Sequence, residues 1–388
     1  MQLGLKCGLQ GAEAEREVAG RRSFMKSDDA AAAQRRLDCS GFLAIVMMMR
    51  LLLTALVTAG VLAGCGGSDS VSAPTASPSP APVAAPVPSA PVQGSASTVV
   101  APIDAANRAE VVARWNDTYF DNTPFSWSGS IAGCAAGDTT DAFKGAVLRR
   151  LNYFRAMAGL PGDLTLDSSL SAKAQQAALM MDASDSLSHA PPTSWPCYSA
   201  AGAEAAGKSL LAYSNAPARN VGLLDGYMRD RGANNVAVGH RRWILYPRLA
   251  KVGTGDVPQA NALWVIGSGT TGSAASASAI AWPPRGFIPR ALTDPTDRFS
   301  LSCAGADFSA VSIAVRGDTG QPVSVRVESS SDNGYGDNTI VWAIDTVRSP
   351  ASGWDRGTAD TRLDIEVANV ANCGAGRSFR YSVTFITP

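Results

Sequence analysis

Phe143, Val147, Leu151, Phe154 and Ala158 recur at spacings of four, four, three and four. That period lines them along one face of a helix, which Gly159 and Pro161 end. Leu166, Leu170, Ala174, Ala177 and Met181 repeat the pattern, with Asp167 or Ser168 as the N-cap. A weaker helix carries Val221, Leu224 and Met228, where Gly222 and Gly226 each cost about 1 kcal/mol relative to alanine. The short apolar run at 262–266 reads as a buried strand, so this first part of the chain is α+β. After a small-residue stretch at 268–279 the period changes to two. Val311, Ile313 and Val315 alternate with polar residues, as do Val323, Val325 and Val327, then Ile340, Trp342 and Ile344, then Leu363, Ile365 and Val367, then Tyr381, Val383 and Phe385. Five such strands predict a β-sandwich of roughly 100 residues. Its turn at 333–338 reads as a glycine-rich hairpin, with a calcium or sugar loop as the alternative.

Upstream of both lies a different pattern. Arg50 precedes the apolar stretch 51–62, and Leu62-Ala63-Gly64-Cys65 follows. This is the anatomy of a secretory signal, and its end resembles a bacterial lipobox, whose cysteine becomes the lipidated first residue of the mature chain. Gly66 rather than aspartate follows Cys65, which by the same resemblance implies the outer membrane. The competing reading is an internal membrane helix over 42–64. Residues 1–46 show neither period and are read as an extension ahead of the true start at Met47, Met48 or Met49. The Pro/Ala/Ser tract from Ser68 to Ala101 buries too little apolar surface to order itself and reads as a tether. The expected organisation is therefore an extension (1–46), a lipoprotein signal peptide (47–64), a linker (65–103), an α+β domain (104–271) and a β-sandwich (280–388).

Composition narrows the chemistry. Net charge is zero, with 33 basic and 33 acidic side chains, so nothing supports a nucleic-acid groove. Cys7 and Cys39 fall in the extension and Cys65 is the lipid site, leaving Cys134, Cys197, Cys303 and Cys373. An even number without a C-x-x-C in an exported chain points to disulfides. Of the three pairings, Cys134 with Cys197 and Cys303 with Cys373 keeps each bridge inside one expected domain. There are two histidines, His189 and His240, both in the first domain and both beside helical segments. Converging imidazoles can hold a divalent cation such as zinc or act in general acid–base catalysis. No G-x-S-x-G, H-E-x-x-H or Walker motif is present. Arg241 and Arg242 are expected at the surface or paired with carboxylates, Trp243 to Leu245 in the core, and Asn234 with Asn235 in a turn.

The stretch 148–181, with Asn152 and Arg155 as Asn-x-x-Arg, resembles the opening helices of the CAP superfamily, which takes in cysteine-rich secretory proteins, antigen 5 and pathogenesis-related proteins. Leu187-Ser188-His189 matches its leucine-x-histidine turn. Gly239-His240-Arg241-Arg242-Trp243-Ile244-Leu245, followed by Gly253-Thr254-Gly255, matches the Gly-His signature as the bacterial branch writes it. The resemblance covers about 143–266. It implies an α-β-α sandwich whose cleft gathers two histidines and two acids, able in some members to hold a metal. His189 and His240 carry over directly, and Asp230, three residues after Tyr227, takes the place of one acid. The other acid's position holds Lys208, in Gly207-Lys208-Ser209, and Glu204 is its nearest substitute. The expectation is a CAP-domain protein whose cleft binds a small ligand, lipid or peptide and which the lipobox cysteine, Cys65, anchors to a membrane. The alternatives are a zinc-assisted hydrolase using His189 and His240, and a structural envelope protein with a vestigial cleft.

Overall fold

The computed structural model describes residues 98–214, 221–269, 279–331, 334–348 and 359–388. The extension, the signal segment, Cys65, the linker up to residue 97, most of the small-residue stretch and Asn333 lie outside them. Helix α1 (Arg108–Arg114) runs into a π-helical turn (Trp115–Tyr119), followed by α2 (Asp141–Met157), β1 (Thr165–Leu166) and α3 (Ser168–Ala183). Then come α4 (Ala200–Lys208), β2 (Ser209–Tyr213), α5 (Leu223–Arg229), α6 (Gly239–Ile244), β3 (Lys251–Asp256) and β4 (Ala260–Trp264).

The caps explain the starts of the two long helices. Thr140 accepts from the Phe143 N–H at the head of α2, and Asp167 accepts from Ser169 and Leu170 at the head of α3. Leu166 therefore belongs to β1 and not to the following helix as its spacing predicted, because the Asp167 cap starts the helix after it. Gly159, at φ +76, turns the chain after α2.

Strands β1-β3-β4-β2 form one sheet, parallel between β1 and β3 and antiparallel elsewhere. Its two faces pack differently. Leu210, Val252 and Leu263 join the core built on α2 and α5, while Leu211, Ala262 and Trp264 join one built on α3 and α4. That alternation makes an α-β-α sandwich. A Cβ on Gly253 would lie 2.5 Å from the Leu170 backbone, and one on Gly255 2.1 Å from that of Ala174. The two glycines and the alanine face of α3 thus let helix and strand meet backbone to backbone.

The β-rich part has two sheets among the described residues. One is β10 (Val325–Ser331), β11 (Thr339–Ile344), β7 (Phe299–Ser302) and β5 (Ile280–Trp282); the other is β6 (Gly286–Pro289), β13 (Ser378–Ile386), β12 (Thr361–Ala368), β8 (Ser312–Gly317) and β9 (Pro322–Val323). Phe299 of the first sheet meets Phe385 of the second edge to face, with centroids 6.4 Å apart, as sandwich packing requires. The period-two runs fall in β8, β11, β12 and β13, with Val311 just before β8, while the run Val323, Val325 and Val327 is split between β9 and β10, which belong to different sheets. Val327 departs from its expected inward place: a bulge between it and Ser329 leaves it 49% exposed. Cys134 is bonded to Cys197 and Cys303 to Cys373. No helix among the described residues is long and apolar enough to cross a membrane.

Candidate functional site

Asp230 ends α5 in the left-handed region, at φ 50. From there its side chain reaches the head of α6, whose own N-cap residue, Val238, supplies no side-chain acceptor. One Asp230 oxygen accepts from the backbone N–H groups of His240 (2.9 Å) and Arg241 (3.3 Å). The other faces His240 Nδ1 at 2.7 Å. An ionised carboxylate can only accept, so the proton of this bond sits on Nδ1 and Nε2 keeps the lone pair of the neutral ring. The carboxylate has no exposed surface, while the imidazole is 23% exposed.

Tyr227 stacks obliquely on the His240 ring at 5.1 Å and donates its hydroxyl to Asn261 Oδ1 at 2.7 Å. Asn261 in turn donates to Asp256, which also accepts from the Thr254 hydroxyl. Burial pushes the Asp256 carboxyl up to about 6 and holds the Tyr227 hydroxyl well above its ordinary range. A polar chain thus runs from the histidine into the central sheet.

His189 lies in the loop after α3, and its Nδ1 is 2.9 Å from the Ala206 carbonyl. A carbonyl only accepts, so Nδ1 carries the proton here too. Among the described residues no hydrogen bond or ring contact joins His189 to His240. Glu204 is exposed and forms ion pairs with Lys173 (2.8 Å) and Lys208 (3.0 Å). Those hydrogen bonds hold its carboxyl below the usual range. Lys208, standing where the resemblance wants an acid, therefore occupies the substitute acid.

The donor set can be weighed against a divalent cation. Both imidazoles are engaged through Nδ1 by an oxygen acceptor, as metal-ligating histidines commonly are. The carboxylates do not fit: Asp230 is committed to three donors and Glu204 to two lysines. Among the described residues no three His, Cys, Asp or Glu side chains gather as a metal-holding group.

Several residues with positioning roles escaped the sequence reading. Arg241 and Arg242 are not at the surface; both are buried, and among the described residues no ion pair joins Arg241 to a carboxylate. Arg241 donates to the carbonyls of Met228, Arg229 and Arg298 and to the Ser300 hydroxyl, and Arg242 donates to the Asp337 carbonyl. Burial pulls Arg241 down to about 10. Arg298 grips the Asp230 carbonyl at 2.8 Å and that of Gly232 at 3.0 Å. The β-rich part therefore holds the residue that holds His240. Tyr335 of the hairpin loop covers Gly239, where a Cβ would lie 3.3 Å from its ring. Trp243 is half-buried, whereas Ile244 and Leu245 are in the core.

The Asn-x-x-Arg pair is also structural. Asn152 bonds the Thr98 and Leu164 backbones, and Arg155 donates to the carbonyls of Pro161, Ile244 and Tyr246, tying α2 to the end of α6. Residues 148–266 match the model of the Cysteine-rich secretory protein family, CAP, so this part of the chain is a CAP superfamily domain. No curated protein and no solved structure matches the chain.

Proposed function

We propose that this is an exported, lipid-anchored CAP-domain protein that binds a small ligand, lipid or peptide at the cell envelope through the site around His189 and His240. The Asp230–His240 couple carries this reading. A fully buried carboxylate fixes a partly exposed ring, so Nε2 is oriented in advance to accept a hydrogen bond or a proton. No nucleophile is bonded to either ring among the described residues, which favours binding over covalent catalysis. The two disulfides support export, and the lipobox resemblance supports the anchor at Cys65 and the outer membrane.

A panel of fluorescent fatty acids and short peptides, titrated against wild type and against His189→Ala/His240→Ala, tests the site. Loss of binding in the double variant is expected; equal binding removes the site. Mass spectrometry of membrane-extracted protein should show a diacylglyceryl group at Cys65, and Cys65→Ser should release the chain from membranes.

Metal-assisted hydrolysis through His189 and His240 is the second reading, favoured by the Nδ1 engagement of both rings. Zinc titration separates it: saturable binding lost in the double-histidine variant supports it, and no binding rejects it. A structural envelope role with a vestigial site predicts an envelope defect on deletion that the double-histidine variant fully rescues.

A further inference from the structure

The loop that carries Asp230 reverses twice within three residues. Asp230 stands at φ 50 and Gly232 at φ 101, and the first of these is a left-handed conformation that is uncommon outside glycine. The carbonyls from Met228 to Gly232 have no helical ladder to join, and each finds a side-chain donor. Arg241 serves Met228 (2.6 Å) and Arg229 (3.1 Å), the Asn235 amide serves Arg231 (2.8 Å), and Arg298 serves Asp230 (2.8 Å) and Gly232 (3.0 Å).

These donors differ in what holds them. Asn235 and Arg241 lie on the chain that leaves the loop, so they move with it, and Arg241 itself bonds the Arg298 carbonyl at 2.9 Å. Arg298 comes from outside. It directly precedes β7, whose Phe299 and Leu301 are buried in the core, so its backbone is fixed to the sandwich. All three nitrogens of its guanidinium are engaged: Nε on the Glu328 carboxylate, Nη1 on the Asp230 carbonyl and Nη2 on that of Gly232. Glu328, on β10, is nearly buried and is held through its other oxygen by Arg326. A planar fork bound at every nitrogen fixes direction as well as distance. Both Arg298 and Glu328 lie beyond residues 148–266, the segment that matches the CAP family.

We infer that Arg298 is a positioning residue for the histidine site: from the sandwich it locks the left-handed turn at Asp230, and through the Asp230 carboxylate it sets the direction of the His240 ring and which nitrogen carries its proton. The site is built jointly, and the family-matched segment does not complete it by itself. The consequence for ligand affinity rests on the proposed binding role of His240; the consequence for the ring does not.

The full chain with ¹⁵N-labelled histidine is compared with Arg298→Met, Arg298→Lys and Glu328→Gln through the ring ¹⁵N shifts at neutral pH. Arg298→Met should lower the ratio of the Nδ1–H to the Nε2–H form of His240 by ~5-fold or more, which is what the loss of one hydrogen bond amounts to. Arg298→Lys keeps the charge without the fork and should fall between. Glu328→Gln, which loosens the fork, should shift the ratio in the same direction. His189 is the internal control. Its Nδ1 is bonded to the Ala206 carbonyl, and no hydrogen bond among the described residues joins it to Arg298, so its shifts should stay in place in every variant. Affinity for a fluorescent fatty acid should fall with the His240 ratio. If the ring responds while His240→Ala binds the fatty acid as wild type does, the binding role fails and the positioning role stands. Should Arg298→Met not fold, the two milder variants decide. An unmoved His240 ring in the folded variants, or a His189 shift as large as that of His240, overturns the positioning role.

Discussion

The Asp230 carboxylate takes the His240 ring at 2.7 Å and the His240 backbone N–H at 2.9 Å, so one side chain sets both where the imidazole stands and which nitrogen carries its proton. In Asp230→Asn the amide oxygen can keep the backbone donors, which turns the amide NH₂ toward the ring. His240 is then expected to move its proton to Nε2, visible in ¹⁵N ring shifts, with a stability loss of about 1–3 kcal/mol. An unchanged tautomer would mean that the carboxylate does not govern the ring.

Asp256 is buried and accepts from Thr254 and Asn261, with no cation in contact among the described residues. Its folded-state pKa, about 6, lies above the ordinary value of 3.8. A raised carboxyl contributes stability that is fully present below about pH 4 and lost as pH rises through about 6, on the order of 3 kcal/mol. Urea unfolding of wild type against Asp256→Asn should show a stability difference that shifts in favour of the variant between pH 4 and 6.5. A pH-independent difference would contradict this account.

Arg155 serves three carbonyls with one planar fork, and burial pulls it down to about 10. A lysine ammonium cannot span the same three acceptors. Arg155→Lys should therefore destabilise the fold by about 2–3 kcal/mol in denaturant melts, nearly as much as a change to methionine.

Glu204 makes exposed ion pairs, which solvent screens, so they contribute little to stability. Glu204→Ala should leave the melting temperature nearly unchanged and alter no divalent-cation titration. A drop in zinc affinity in this variant would return Glu204 to the site.

Much of this was readable in the chain because burial imposes periods. The α2 face from Phe143 to Phe154 and the alternating β12 residues Leu363, Ile365 and Val367 each pack one face, so spacing alone located them. Strands β5, β6 and β7 span three or four residues each, too short to show a period, and they went unpredicted. Arg241 and Arg242 failed for another reason. Charge says surface, yet their partners among the described residues include carbonyls and a hydroxyl brought from as far as Ser300 and Asp337, which no local pattern encodes. His189 and His240 stood out by scarcity, but their assignment to one cleft, and Asp230 with it, came only through the resemblance, which also exposed the misfit at Lys208. The diversion of Glu204 to Lys173 needed the packing of α3 against α4.

The grip of Arg298 on the Asp230 carbonyl has a thermodynamic meaning. Because a residue just before β7 steadies the loop that orients His240, free energy spent on loosening the sandwich is also felt at the imidazole. Linkage then runs both ways. A molecule that tightens the sandwich should raise the melting point of the CAP helices, and a ring resonance of His240 becomes a remote gauge of whether the far sheets are folded.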